Sequence, residues 1–141
     1  MTEPVDSPEP RARAAEQLAN LYMALWNESD ADRRRRMIAE LWTEGGSQIL
    51  QPPQEMREMA ASPGIGLAAT LEARATTSFE HWVGSEGLSF RGRDDAERLG
   101  DVVKFHWEAV TNDGETAAVG LNVVVLAADG RIERNYTFVE S

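Results

Sequence analysis

The stretch VVKFHWEAVTNDGETAAVGLNVVVLAADGRIERNYTFV, residues 102–139, decides the fold. Its β-branched and aromatic residues alternate with others at a period of two, and Asn112-Asp113-Gly114 and Asp129-Gly130 break it as turn signals. The pattern predicts strands over 102–111, 116–127 and 131–139, joined as an antiparallel meander. Loop length then sets which residues face each other. A three-residue loop over 128–130, with Gly130 free to take positive φ, pairs Ala127 with Arg131 and sets Asn122 opposite Tyr136. A two-residue Asp113-Gly114 turn, or a four-residue loop over 112–115, sets Phe105 opposite Asn122 and Trp107 opposite Gly120, which leaves room for the indole. A three-residue loop over 112–114 would slip this register by one and split the aromatic row between faces, and is set aside. One face is thus expected to carry Val103, Phe105, Trp107, Gly120, Asn122, Val124, Tyr136 and Phe138. The other carries Lys104, His106 and Glu108 beside Val119, Leu121, Val123, Val125 and Val139.

Upstream, the spacing turns helical. Leu18, Leu21, Tyr22, Leu25 and Trp26 predict a helix over 11–27. Ser29 or Asp30 caps a second helix, with Asp32 in its first turn, Met37, Ile38, Leu41 and Trp42 on its buried face, and Gly45-Gly46 at its end. A short strand over 47–51 stops at Pro52-Pro53, and the chain to Gly66 reads as irregular, with one helical turn over 55–61. Leu67, Leu71, Ala75, Phe79 and Trp82 predict a third helix ending at Gly84, after which Leu88 and Phe90 alternate as a strand.

At 141 residues with 42% apolar and 27% charged residues, the chain reads as one globular domain over 11–141 behind a flexible leader over 1–10. No cysteine is present, which removes disulfides, thiol nucleophiles and thiolate metal sites and makes the cytoplasm the expected location. A formal charge of -10 disfavours nucleic acid and anionic membrane surfaces as partners. The acidic, proline-rich start does not read as a signal peptide. The order of elements predicts an α+β architecture: three N-terminal helices packed on a curved, mostly antiparallel sheet.

That order, with LYMALWNESDADRRRRMIAELW in the opening helices, VVKFHWEAV in a long strand and VGLNVVVLAADGRIERNYTFVE in the closing hairpin, resembles the nuclear transport factor 2-like superfamily, and within it the SnoaL-like (polyketide cyclase-like) branch found in many bacteria. The resemblance covers residues 12–140. It implies a cone-shaped fold with a pocket at its wide end. Family members include isomerases, cyclases, epoxide hydrolases, dehydratases and non-catalytic binding domains, so the resemblance speaks to fold more than to chemistry.

Two positions depart from the catalytic pattern the resemblance implies. Where SnoaL-like enzymes often place a base in a Gly-x-Asp strand motif, this chain has Gly120-Leu121-Asn122, and where a second acid often precedes a proline, it has Gln51 before Pro52. An amide cannot take a proton as a carboxylate does. His81, beside Trp82, and His106, expected on the face away from the pocket, read as structural or surface residues, and no Ser/His/Asp or Cys/His set has a recognisable spacing. His106-x-Glu108 offers two metal ligands without a third, so no metal is expected. Arg33 to Arg36 spread around a helix flanked by acids and read as a solvated face, and no phosphate-binding glycine motif suggests a nucleotide cofactor. Arg134 is expected at the rim.

The expected pocket residues are Tyr22, Trp26, Gln51, Phe105, Trp107, Asn122, Tyr136 and Phe138. The expected function is binding of a small hydrophobic molecule by a homodimer, with no cofactor and no acid/base catalysis. The alternative is an isomerase, cyclase or hydrolase acting on a polyketide-, steroid- or epoxide-like substrate, with Tyr136, Asn122 and His81 at its polar end. A buried acid such as Glu55, Glu58 or Glu72 would favour that alternative. The dimer is expected through the outer sheet face, where Val119, Leu121, Val123 and Val125 form an apolar row.

Overall fold

The computed structural model describes residues 8–50 and 71–140. Gln51, Pro52-Pro53, the turn expected over 55–61 and Leu67 lie outside the described residues.

Helix α1, Pro8–Asn27, starts before the expected residue 11, so residues 8–10 belong to the helix and not to a leader. It buries Ala15, Ala19, Tyr22, Met23, Leu25 and Trp26, whereas Leu21, counted in the apolar stripe, is 52% exposed. Asp30 caps α2, Ala31–Leu41, by accepting from the Asp32 and Arg33 N–H groups at 2.9 and 3.4 Å. The helix ends sooner than predicted. Trp42 is already extended, and strand β1, Trp42–Leu50, contains the Gly45-Gly46 pair expected as a helix stop. The pair serves close packing instead: a Cβ on Gly46 would lie 2.8 Å from Trp42 Cδ1 and 2.9 Å from the Ile132 carbonyl oxygen.

Arg34 corrects the expectation of a fully solvated arginine run, since it is only 4% exposed. Its Nη1 donates to the Glu28 carbonyl at 2.7 Å and its Nη2 to Thr76 Oγ1 at 3.4 Å, while the guanidinium lies 5.2 Å from the Phe79 ring centroid. One buried cation therefore fastens the α1–α2 turn to the third helix. That helix, α3, is α-helical over Leu71–Ser78 and continues as a π-helical segment over Phe79–Ser85.

Five strands complete the sheet: β2, Ser89–Gly92; β3, Glu97–Leu99; β4, Val102–Val110; β5, Thr116–Leu126; and β6, Ile132–Val139. The order is β1-β6-β5-β4-β2, with β3 also on β4; β1 runs parallel to β6 and the other pairings are antiparallel. The sheet curls strongly around the three helices, which gives the expected cone-shaped α+β fold.

The two hairpins correct the register arguments in opposite ways. Thr111 N–H donates to Glu115 O at 2.8 Å, so the first loop is the three-residue one and not the two- or four-residue loop expected. Register is nevertheless the expected one, Phe105 opposite Asn122 and Trp107 opposite Gly120, because Ala117 is inserted between the pairs Val110–Thr116 and Ala109–Ala118 and shifts the strand back by one. The second loop closes as predicted, with Ala127 N–H donating to Arg131 O at 2.8 Å. Glu133 is then the inserted residue, so Asn122 faces Thr137 instead of Tyr136. Tyr136 and Phe138 consequently point to the outer face, and Asn135 and Thr137 to the inner one.

Candidate functional site

Five polar side chains from four elements meet inside the cone. Tyr22 comes from α1, Gln48 from β1, Asn122 from β5, and Asn135 and Thr137 from β6; all five are buried. Strand pairing dictates this meeting, since Gln48 is opposite Asn135 and Asn122 is opposite Thr137. The Tyr22 hydroxyl donates to Asn135 Oδ1 at 2.7 Å with Asn122 Oδ1 at 3.1 Å, and Thr137 Oγ1 donates to Asn122 Oδ1 at 2.6 Å. Gln48 Nε2 lies 3.1 Å from Tyr22 Oη, 3.2 Å from Asn135 Oδ1 and 3.3 Å from Thr137 Oγ1.

Aromatic rings wall the cluster. The Tyr22 ring meets Phe105 edge-on at 5.3 Å and lies 5.8 Å from Trp26 and 5.6 Å from Trp42. Burial pushes the Tyr22 phenol up to about 12, against the partial pull of its hydrogen bonds with Thr137, Gln48 and Asn135. The Trp26 indole also favours the phenolate, although its N–H does not meet hydrogen-bond geometry there. The cluster thus holds a phenol, three amides and a hydroxyl, all neutral near pH 7.

Gln48 links this interior to a cleft of about 580 Å³ between α2, β1 and α3. Ile38, Trp42 and Leu71 supply its apolar wall, and Arg35, Arg74 and Arg131 reach it with Glu44 and Glu72. Arg74 Nη1 donates to the Gln48 carbonyl at 2.6 Å, with Gln48 Oε1 at 3.5 Å. The Arg35–Glu72 ion pair spans 3.1 Å.

Of the residues singled out from sequence, Tyr22, Trp26, Phe105, Trp107 and Asn122 are brought together. Tyr136 and Phe138 are not, because of the inserted Glu133. Arg134 is exposed, and its Nη1 donates to Tyr136 Oη at 3.2 Å on the outer face. Gln48, Asn135 and Thr137 are absent from the residues expected there. The alternation Asn135-x-Thr137 is visible in the chain, but the one-residue shift that turns it inward is not.

The histidines lie elsewhere. His81 is exposed and packs edge-on against Trp82 at 4.3 Å. His106 lies on the outer face, its Nδ1 2.6 Å from Asp95 Oδ2 and its Nε2 3.2 Å from Glu140 Oε1. Glu108, beside it, accepts from Arg91 at 2.7 Å and Arg93 at 2.8 Å, and those bonds hold its carboxyl below the usual glutamate value. Among the described residues no group of three His, Cys, Asp or Glu side chains could hold a metal ion, and no helix is long and apolar enough to cross a membrane.

No protein-family model matches the chain, and no curated protein sequence matches it. Solved structures do. A candidate isomerase of the SnoaL-like family from Agrobacterium tumefaciens matches with a TM-score of 0.73 at 23% identity, over 92% of this chain and 99% of that one. A SnoaL-like protein of unknown function from Burkholderia thailandensis matches at 0.61 and 17%, over 92% and 97% of the two chains. An NTF2-like protein of unknown function from Silicibacter pomeroyi matches at 0.56 and 12%, over 95% and 99%.

Proposed function

The chain has the nuclear transport factor 2-like fold, and from that premise we propose that it is a SnoaL-like domain that binds a small, largely apolar molecule without acid/base catalysis. The observation that carries this reading is the chemistry of the Tyr22–Gln48–Asn122–Asn135–Thr137 cluster. General-base catalysis needs a group that is deprotonated and basic at working pH, held at the substrate. Amides and a hydroxyl do not provide one, and a phenol pushed to about 12 stays protonated. Glu72 reaches the cleft but is half exposed and paired with Arg35, which is not the desolvated setting of a tuned base. Glu55 and Glu58 lie outside the described residues. What the cluster and cleft do offer is orientation: amides that both donate and accept, beside aromatic walls.

The homodimer belongs to the same proposal. Val119, Leu121, Val123 and Val125 share the outer face with Tyr136 and with Phe138, which is 44% exposed. A second copy of this face would cover that row. The chain's lack of cysteine supports the cytoplasm as the proposed location.

The description of the Agrobacterium protein as an isomerase selects the decisive experiment. The purified protein is screened against model isomerisation, epoxide-opening and cyclisation substrates, with Asn122→Ala as control, while native mass spectrometry looks for a retained small molecule. Retained ligand without turnover is the expected result. Turnover that disappears in Asn122→Ala would overturn the non-catalytic reading.

A further inference from the structure

His106 stands on the outer sheet face with a carboxylate at each ring nitrogen. Its Nδ1 is 2.6 Å from Asp95 Oδ2 and its Nε2 is 3.2 Å from Glu140 Oε1, while its backbone N–H donates to Asp95 Oδ1 at 2.9 Å. A neutral imidazole carries one N–H and one lone pair, so it can donate to one of the two acids and not to the other. The imidazolium donates to both. On an uncovered sheet the difference is small, because all three side chains are partly exposed and water can serve the acid left without a donor.

Strand register lays this contact across the apolar row. His106 is opposite Leu121, and Leu121 is opposite Phe138. Glu140 follows the last residue of β6 and its N–H donates to the Val119 carbonyl at 2.8 Å, so its carboxylate reaches His106 on β4 by passing over β5. A second copy seated on Val119, Leu121 and Phe138 therefore covers the Glu140–His106 contact as well. Once water is excluded, a carboxylate facing an imidazole lone pair is a buried charge without a donor, whereas one facing an N–H keeps a charge-assisted hydrogen bond. The remaining charges around His106 are Lys104 and Glu108 on its own strand, Glu97 opposite Lys104 on β3, and Arg91 and Arg93, both held by Glu108. From β5 it is faced by Val119, Leu121 and Val123, which carry no charge.

We infer that the outer face is a proton-linked interface, on which protonation of His106 tightens the association of two copies of this chain by giving Asp95 and Glu140 a donor each. This rests on the homodimer reading above and adds its regulation. The linkage is a difference between two states of assembly: the covered face distinguishes imidazole from imidazolium more sharply than the open one, so dimer formation takes up protons. Glu140 is the group through which it acts, because its carboxylate is the one that lies over the apolar row.

Sedimentation equilibrium of the full chain at about pH 5.5 and about pH 8, at one ionic strength, tests this. Association is expected to be at least about tenfold tighter at the lower pH, the scale of one charge-assisted hydrogen bond. Glu140→Gln replaces the carboxylate by an amide that can donate to a neutral ring, so it should associate about equally at both pH values and about as tightly as the wild type at low pH. His106→Gln should lose the dependence too, and His81→Gln, at an exposed position on α3, should keep it. If His106→Gln does not fold by circular dichroism, Glu140→Gln decides alone. Wild-type association that is equal at both pH values, or tighter at the higher one, would overturn the proton linkage and leave the dimer standing. A monomer throughout would overturn both. A pH dependence kept in Glu140→Gln or in a folded His106→Gln would trace it to overall charge and overturn the role of this contact.

Discussion

Tyr22 on the first helix and Asn135 on the last strand, 113 positions apart, share a 2.7 Å hydrogen bond at the centre of the cone. This contact joins the helical layer to the sheet through one proton, and its neighbours depend on it.

Tyr22→Phe keeps the ring and removes the hydroxyl, leaving Gln48 Nε2 and Asn135 Oδ1 each short of a buried partner. A loss of about 1–3 kcal/mol in urea unfolding is expected. Alkaline titration provides the wild-type counterpart. The folded value of about 12 exceeds the ordinary 10.0, so the neutral phenol is the form favoured by folding, and stability falls as pH rises above 10. The chain has two tyrosines, so Tyr136→Phe leaves Tyr22 alone to report at 295 nm. Its ionisation should appear only near pH 12 or together with unfolding. A folded protein that ionises it near pH 10 would refute the buried network.

Asn122→Asp places a carboxyl in a site 1% exposed beside Phe105 and Thr137. Desolvation penalises the charged form and raises its folded pKa above the unfolded value of about 3.9. Stability should therefore match wild type most closely at low pH and decline as pH rises through about 4, by about 1.4 kcal/mol per pH unit until the folded carboxyl itself ionises. Thermal melts from pH 3 to pH 8 check the slope; a flat difference from wild type would contradict it.

Gly120→Ala should be destabilising. An added Cβ would collide with the Trp107 indole and the Phe138 carbonyl, and neither backbone nor a packed indole gives way cheaply. A cost of about 1–3 kcal/mol is expected from overpacking, read as a lower denaturation midpoint.

Phe138→Glu puts a charge on the proposed dimer face without touching the interior, because Phe138 points outward. Sedimentation should show a dimer for wild type at micromolar concentration and a monomer for the variant, with circular dichroism unchanged. A wild-type monomer would defeat the dimer proposal.

Asp95 gives the acid limb a small share. Burial alone would raise its carboxyl, but hydrogen bonds from the His106 backbone and ring, together with the ring's charge, hold it below the ordinary aspartate value. A depressed value stabilises the fold above the unfolded pKa of about 3.9, and that stability disappears as pH falls through the folded one. Both side chains are about a third or more exposed, so Asp95→Asn should cost under about 1 kcal/mol at pH 6, and thermal melts should show that cost shrinking as pH falls below about 3.9.

Long-period features were legible in the chain. The stripe containing Tyr22 and Trp26 and the alternation Phe105-x-Trp107 led to the right interior, because each repeats a signal over many residues. Features set by a single residue were not. Ala117 and Glu133 are ordinary in composition, yet each changes a register by one. Arg34 looks like its neighbours Arg33, Arg35 and Arg36, and only the packing of α3 against α2 distinguishes it. Trp42 reads equally well as the last helical or the first extended residue, and its pairing with Ile132 decides the matter.

Glu133 acts as a parity bit for the last strand. With it, β6 turns Asn135 and Thr137 inward and sends Arg134, Tyr136 and Phe138 outside. Were Glu133 instead paired flush with Val125, odd and even positions beyond it would exchange, and the same residues would line the cone with two aromatic rings and an arginine while two small polar groups went to the surface. The strand thus encodes two complete interiors, one amide-lined and one aromatic, and the bulge at Glu133 selects the first.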